Sequence, residues 1–512
     1  MRRIILAAFF YLASTFPSGV AAAENWTTLP SPVRYEPYAI VSPYGPPIVR
    51  AELGRFAVLE SRGSSTPRPI ELAFVRLAST SKNPGSPIVW LAGGPGTSGT
   101  HDLDTPLLQL LLELRRLGDV LVLDQRGTGL SRPRLDCPGA FTFPQDVALE
   151  RPAALAALEA AGRACGEDWR ARGTDLSAYN TRESAEDVED LRRAVGAAKL
   201  RLLAGSYGTH LALAAIRAHE DRVERAVLLG VVGPDHLRRV PSDLDTELEA
   251  IARLVRENTS SRMPDLLGTI REVRDRLDAH PVRLDVPNRE GGRSEVVIGR
   301  FELEWYTRSL LSSRPAIAHL PALYADLAAG DYSELGEAAL GWRRASAPPA
   351  PVFTVRCASG GSTERERRIA EETRSALLQL AGDLAEEGVC RAWGVPRLSD
   401  DFRGPVSSRV PVLFVSGTLD GDTPLDNAQE VSRGFPNASR LVIEGGAHWL
   451  LGFGDAEPRA AINRFFEGKP VRADRVRLPA IAFEAPRVAP AGARLASRPS
   501  FPLPAWFGGG SP

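Results

Sequence analysis

Apolar runs that stop abruptly at glycine recur along this chain and set its plan. "SPIVWLAGGPG" and "GDVLVLDQRGTG" each hold a short continuous apolar run, about Pro87 to Ala92 and Val120 to Asp124, that breaks into a glycine turn. Runs of that length without alternation suit strands covered on both faces. "TRESAEDVEDLRRAVGAAK" has a different period. It begins acidic, ends basic and sets Val188, Leu191 and Val195 on one stripe, which predicts an amphipathic helix aligned with its macrodipole. "LRLLAG", "YGTHLALAAIRAH" and "RAVLLGVV" follow as strand, helix and strand with almost no slack. The alternation predicts an α/β protein with a mostly parallel sheet flanked by helices.

Ahead of these elements, "GRFAVLES" and "PIELAFVRLAS" have β character and are joined by "RGSSTPR", a hairpin connection. From Pro234 to about residue 405 the pattern is helical, as in "ELEAIARLVREN", "LLGTIREVRDRLDA" and "LPALYADLAAG". Sheet texture returns at "VPVLFVSGTLDGDTP" and "SRLVIEGGAHWLLG". The division expected is therefore a first core part over 24–233, a helical cap inserted over 234–405 and a second core part over 406–470. Residues 471–512, rich in Pro, Ala and Arg without periodicity, are expected to form an extended or disordered tail.

Charge narrows the partners. Against 62 Lys plus Arg stand 63 Asp plus Glu, so no global field draws the chain to nucleic acid or an anionic membrane. The first residues, "MRRIILAAFFYLASTFPSGVAAAENW", have two arginines, an apolar stretch and then small residues. This is the layout of a secretory signal peptide ending near Ala23. The apolar stretch is shorter than a spanning helix needs, so stable membrane insertion is not expected. A periplasmic or extracellular location is. Export makes the four cysteines intelligible as disulfides. Of three possible pairings the sequential one is expected, Cys137 with Cys165 and Cys357 with Cys390.

The candidate chemistry centres on Ala204-Gly205-Ser206-Tyr207-Gly208, a strand-to-helix junction with small flanks. A nucleophilic serine must be held out of the sheet beside a base and beside donors for an oxyanion, and a tight turn of the G-x-S-x-G kind does this. Acid and base are expected later in the chain, each after a strand. Asp420 follows "VPVLFVSGTL" and His448 follows "SRLVIEGGA", with Asp422 and Asp426 as rivals for the acid. The glycines of "AGGPG" suit backbone donors, so Gly94 and Tyr207 N–H groups are the expected oxyanion hole. No metal-ligand spacing, phosphate loop or basic-aromatic pattern is present. Hydrolytic acyl transfer on this triad needs neither metal nor cofactor.

Taken together, "AGGPG", "DQRGTGLS", "DVEDLRRAVGAAKLRLLAGSYGTHLA", "GTLDGDTP" and "GGAHW" resemble the α/β-hydrolase fold serine peptidases of the proline iminopeptidase and tripeptidyl aminopeptidase (TAP-like) group. The resemblance implies a serine exopeptidase acting on free N-termini of short peptides under a cap. It places the catalytic roles on Ser206, on Asp420 three residues before Thr423, and on His448. Three departures stand out: Ala92 where the group has histidine, Ala204 where the elbow has glycine, and no acid directly after Cys357. The last leaves open a carboxylesterase or small-molecule amidase using the same triad. Glu302, Glu304 and Asp326 are the cap carboxylates considered for holding a substrate amine.

Overall fold

The computed structural model describes residues 29–66, 68–137, 143–258, 263–288, 290–344, 348–379, 387–450 and 456–485. The expected signal peptide lies outside them. The sheet's strands are β1 (Arg34–Ile40), β2 (Val49–Leu59), β3 (Pro69–Leu77), β4 (Ile88–Leu91), β5 (Val120–Asp124), β6 (Leu200–Gly205) and β7 (Val223–Leu229). After an excursion containing the hairpin β8 (Val282–Pro287) and β9 (Arg293–Ile298) come β10 (Val412–Gly417), β11 (Ala438–Glu444) and β12 (Arg475–Arg477). The ten-stranded order is β1-β2-β3-β5-β4-β6-β7-β10-β11-β12. β1, β2 and β3 run antiparallel to their neighbours, and every pair from β5 to β12 is parallel.

Every residue of β4, β5 and β10 is buried, which explains their unbroken apolar runs. One face packs on the helices Thr181–Ala194 and Tyr207–Ala218 through Leu191, Leu211 and Ile216. The other face packs on Leu107–Leu114 and Ala456–Phe466 through Leu111, Leu114 and Phe466. Helix Thr181–Ala194 starts where the Asn180 side chain accepts from Glu183 N–H, and it ends on Arg192 and Arg193. Parallel strands with helices on both faces place every strand-to-helix turn at one edge of the sheet, which is where a site can be assembled.

Between β7 and β10 stands the cap. Its own core joins the helices Pro241–Glu257, Leu266–Ala279, Arg300–Leu310, Arg314–Ala328 and Ser333–Arg343 through Leu248, Ile270, Leu303, Leu320 and Leu335. The cap also takes in chain from an unexpected place. After β5 the chain leaves the sheet, and its helix Arg151–Ala171 packs against the cap helix Glu387–Trp393, with Leu158, Trp169, Val389 and Trp393 in one cluster. Cys137 and Cys165 are disulfide-bonded within this excursion, and Cys357 and Cys390 within the cap, at Cα separations of 5.2 and 5.3 Å. With sequence separations of 28 and 33 residues, each closes a loop worth about 3–4 kcal/mol in the chain-entropy model.

The expected tail over 471–512 needs correction for its first part. β12 pairs in parallel with β11 through Val442–Arg475, Ile443–Val476 and Glu444–Arg477. Ile481 and Phe483 then sink into the cap core, and Glu484 N–H donates to the Ala318 carbonyl at 2.9 Å. A carboxylate oxygen of Glu484 also lies 2.9 Å from His319 Nδ1, while His319 Nε2 meets Glu334 at 2.8 Å. Burial alone would lower the His319 pKa, but the two carboxylates raise it, and the imidazole between them ties this segment to the cap. Residues 486–512 lie outside the described part. Among the described residues no helix is long and apolar enough to cross a membrane.

Candidate active site

β6 ends at Gly205 and the helix Tyr207–Ala218 begins one residue later, so Ser206 alone makes the turn. It does so at φ 51° and ψ −124°, and among the described residues it is the only one other than glycine with positive φ. Such strain persists only where the surroundings over-determine it. Here Ser206 N–H donates to the Leu229 carbonyl at 2.8 Å, and the Ser206 carbonyl accepts from Thr209 N–H and Oγ1 at 2.8 and 2.7 Å. Close packing demands the glycine flanks. A Cβ on Gly208 would lie 2.0 Å from the Leu91 carbonyl oxygen, and one on Gly205 2.8 Å from the Trp90 ring. Ala204, by contrast, is buried in β6 without positive φ, so a methyl group is accepted where the elbow has glycine.

The three side chains named from sequence form one hydrogen-bonded line. Ser206 Oγ is 3.1 Å from His448 Nε2, and His448 Nδ1 is 3.0 and 3.2 Å from the two oxygens of Asp420. Asp420 also accepts from Thr423 N–H at 2.8 Å and from the Thr423 hydroxyl at 2.5 Å. Thr423 thus gives the D-x-x-T spacing a physical meaning: it fixes the carboxylate that faces the imidazole. Burial would lower the His448 pKa, yet the Asp420 carboxylate and, further off, Asp422 raise it above its ordinary value.

Asp422, the rival acid, is engaged elsewhere. Burial would raise its carboxyl, but the guanidiniums of Arg239 at 3.1 Å and Arg308 at 3.7 Å, with His448 and Arg356 nearby, bring it down to about 2. Asp426 is exposed in the first turn of the helix Leu425–Ser432. Sequence reasoning missed Glu247 altogether. It reaches from the cap helix Pro241–Glu257 to accept from Gly421 N–H at 3.0 Å, fully buried, with its second oxygen unsatisfied. Burial, and then the neighbouring Asp420 and Asp422, hold its carboxyl well above the usual range.

The glycine loop after β4 packs directly on the serine. A Cβ on Gly93 would stand 3.1 Å from Ser206 Cβ, and Gly94 has φ 105°, a backbone that only glycine adopts without strain. Tyr207, the first residue of its helix, has no intrahelical acceptor for its N–H. Loop support passes through the Ala92 carbonyl, which accepts from Gln125 Nε2 at 2.9 Å. Next to it, Arg126 is buried and bonded to both Asp187 oxygens at 2.7 Å, which anchors the "DQRG" turn. Gly93, Gly94, Gly205, Ser206 and His448 border a cavity of about 140 Å³.

Of the three cap carboxylates considered from sequence, Glu302 and Glu304 are spent on structure, while Asp326 lies half-buried on the helix Arg314–Ala328. Glu302 accepts from Gly299 and Leu149 N–H and pairs with the buried Arg343, while Glu304 pairs with Arg300 at 2.6 Å. Trp305 stacks on Phe301, and both rings lie tilted against Trp342 inside the cap.

An α/β hydrolase fold family model matches residues 86–455. YuaR of Escherichia coli (strain K12), provisionally named a hydrolase, is 25% identical over 404 residues, covering 74% of this chain and 77% of that protein. The serine protease Hip1 of Mycobacterium tuberculosis (strain ATCC 25618 / H37Rv) is 23% identical over 426 residues, 75% of this chain and 79% of Hip1. Among solved structures, a serine hydrolase of Cycloclasticus zankles is 16% identical with a TM-score of 0.35, covering 81% of this chain and 99% of that one. The family match spans most of the sheet, the cap and all three members of the hydrogen-bonded line, and the chain belongs to the α/β hydrolase fold family.

Proposed function

We propose that this protein is an exported serine hydrolase that removes residues from the N-terminus of short peptides through an acyl-enzyme on Ser206. The observation that carries the reading is the unbroken line from Ser206 Oγ through His448 to Asp420. In this mechanism Ser206 gives its proton to His448 Nε2 as Oγ attacks the scissile carbonyl, and Asp420 stabilises the imidazolium. Gly94 and Tyr207 N–H groups receive the oxyanion. His448 then protonates the leaving amine, and water repeats the sequence on the ester. Similarity to a serine protease supports peptide as substrate, and two disulfide-bonded cysteine pairs are consistent with export.

One observation favours the second reading, a carboxylesterase or small-molecule amidase: Glu302 and Glu304 are committed to Arg343 and Arg300, so neither offers a substrate amine its counter-ion. The two readings separate on matched anilides with free and N-acetylated termini, run beside a short-chain nitrophenyl ester. Preference in kcat/KM for the free amine upholds the aminopeptidase. Equal or better turnover of blocked substrates, or of the ester alone, replaces it with the esterase or amidase.

The pH dependence follows from His448. Only the neutral imidazole accepts the Ser206 proton, and the folded protein raises its pKa above the ordinary 6.5. Activity is therefore expected to be full at higher pH and to fall as pH drops through that raised value. A kcat/KM profile whose acid limb has its midpoint below 6.5 would contradict the assignment.

A further inference from the structure

The cavity beside Ser206 holds one acid in its wall that the mechanism above does not use. On the catalytic side it is bounded by Gly94, Ser206 and His448, and elsewhere mainly by apolar side chains that include Trp90, Leu107 and Leu229. Asp102 interrupts that apolar wall. It sits in the short 3-10 turn Thr100–Asp104 and is only 7% exposed. Its Oδ2 accepts from Trp90 Nε1 at 2.8 Å, and among the described residues no donor reaches Oδ1. Trp90 in turn packs under Gly205, the residue before the nucleophile, so the ring that orients the carboxyl also supports the elbow.

The electrostatics of this wall are one-sided. No arginine or lysine is among the described residues that line the cavity, whose other titratable groups are His101 and His448. Behind Asp102 lies the buried Asp124, which spends its oxygens on Thr100 and Leu130 N–H groups. Burial first, and then the Asp124 charge, push the Asp102 carboxyl up to about 7 against the pull of the Trp90 hydrogen bond. A buried carboxylate without a cation is costly, and so is a buried ammonium without an anion. Each offsets part of the other's cost when both enter the same apolar pocket.

We propose that Asp102 binds a primary ammonium group of the substrate within the cavity beside Ser206. The apolar walls hold the carbon chain that bears it. The proposal rests on the peptidase reading for the nature of the substrate, and two sources supply the same chemistry: the α-ammonium of an N-terminal residue, or the side-chain ammonium of a lysyl residue.

The test compares wild type with Asp102→Asn, which keeps an oxygen for Trp90 N–H while removing the charge. Alanyl anilide is set against its N-acetyl form, and N-acetyl-lysyl anilide against N-acetyl-norleucyl anilide. In the variant the ratio of kcat/KM for cationic over neutral partner is expected to fall at least about tenfold in one pair, and that pair names the source. Inhibition of nitrophenyl acetate hydrolysis by butylammonium and by butanol is measured alongside, with weaker inhibition by the amine alone expected in the variant. If both ratios and the amine inhibition match wild type, the assignment of Asp102 is overturned. If neither enzyme cleaves any anilide, the peptidase reading fails while the amine inhibition still decides Asp102.

Discussion

Replacing Ser206 with alanine is expected to lower kcat by about 10⁵-fold on every substrate the protein hydrolyses, while the melting temperature stays within a few degrees of wild type. In the proposed mechanism the hydroxyl oxygen is the atom that becomes covalent, and no other hydroxyl approaches His448 Nε2 among the described residues. What survives comes from the oxyanion donors and substrate binding. The backbone supplies a second arm. At φ 51° a Cβ is strained, and Ser206→Gly removes both the nucleophile and that strain. Ser206→Gly is therefore expected to be as inactive as Ser206→Ala and to melt at a higher temperature. Single-turnover kinetics and calorimetry read the two effects separately. Activity retained in Ser206→Ala would sink the assignment of the nucleophile.

Asp420→Asn is expected to cost about 10⁴-fold in kcat with the protein still folded. The amide occupies the same volume but presents no charge to the imidazolium, and it keeps one acceptor oxygen where the carboxylate offers two to His448 Nδ1–H and the Thr423 donors. Its signature lies in the pH profile. Asp420 is the leading influence that raises the His448 pKa against burial, so its loss moves the acid limb to lower pH. Asp422→Asn leaves the hydrogen-bonded line intact and is expected to cost far less. A larger loss from Asp422→Asn than from Asp420→Asn would exchange the roles of the two acids.

Much of this arrangement was legible in the chain because the relevant signals are local. The apolar runs of β4, β5, β6 and β10 each stop at a glycine turn, and the turns after β4, β6 and β10 carry residues that meet around Ser206. The features that escaped notice depend on contacts distant in sequence. β12 is three residues long, too short for any period to register, and it exists because β11 offers it an edge. Helix Arg151–Ala171 has a readable pattern, but nothing local says that its partner is Glu387–Trp393. From sequence, Glu302 and Glu304 are acids that a substrate amine could meet. The buried Arg343 and the adjacent Arg300 decide otherwise. Asp102 is one of two acids, with Asp104, ahead of "LLQLLLEL", and only the fold of β4 brings Trp90 to it.

The segment that runs from β12 to Glu484 limits how the cap can move. A cap joined to its core only at the two ends of one insertion could swing open on those two strands of chain, as a hinge. Here the excursion after β5 enters the cap body from a different point of the sheet, and the chain crosses again after β12 to bury Ile481 and Phe483 and to pair Glu484 with His319. Three separated attachments do not share one rotation axis. Swinging the cap open as one rigid body would break these contacts, so its attachment favours small sliding displacements of packed helices instead.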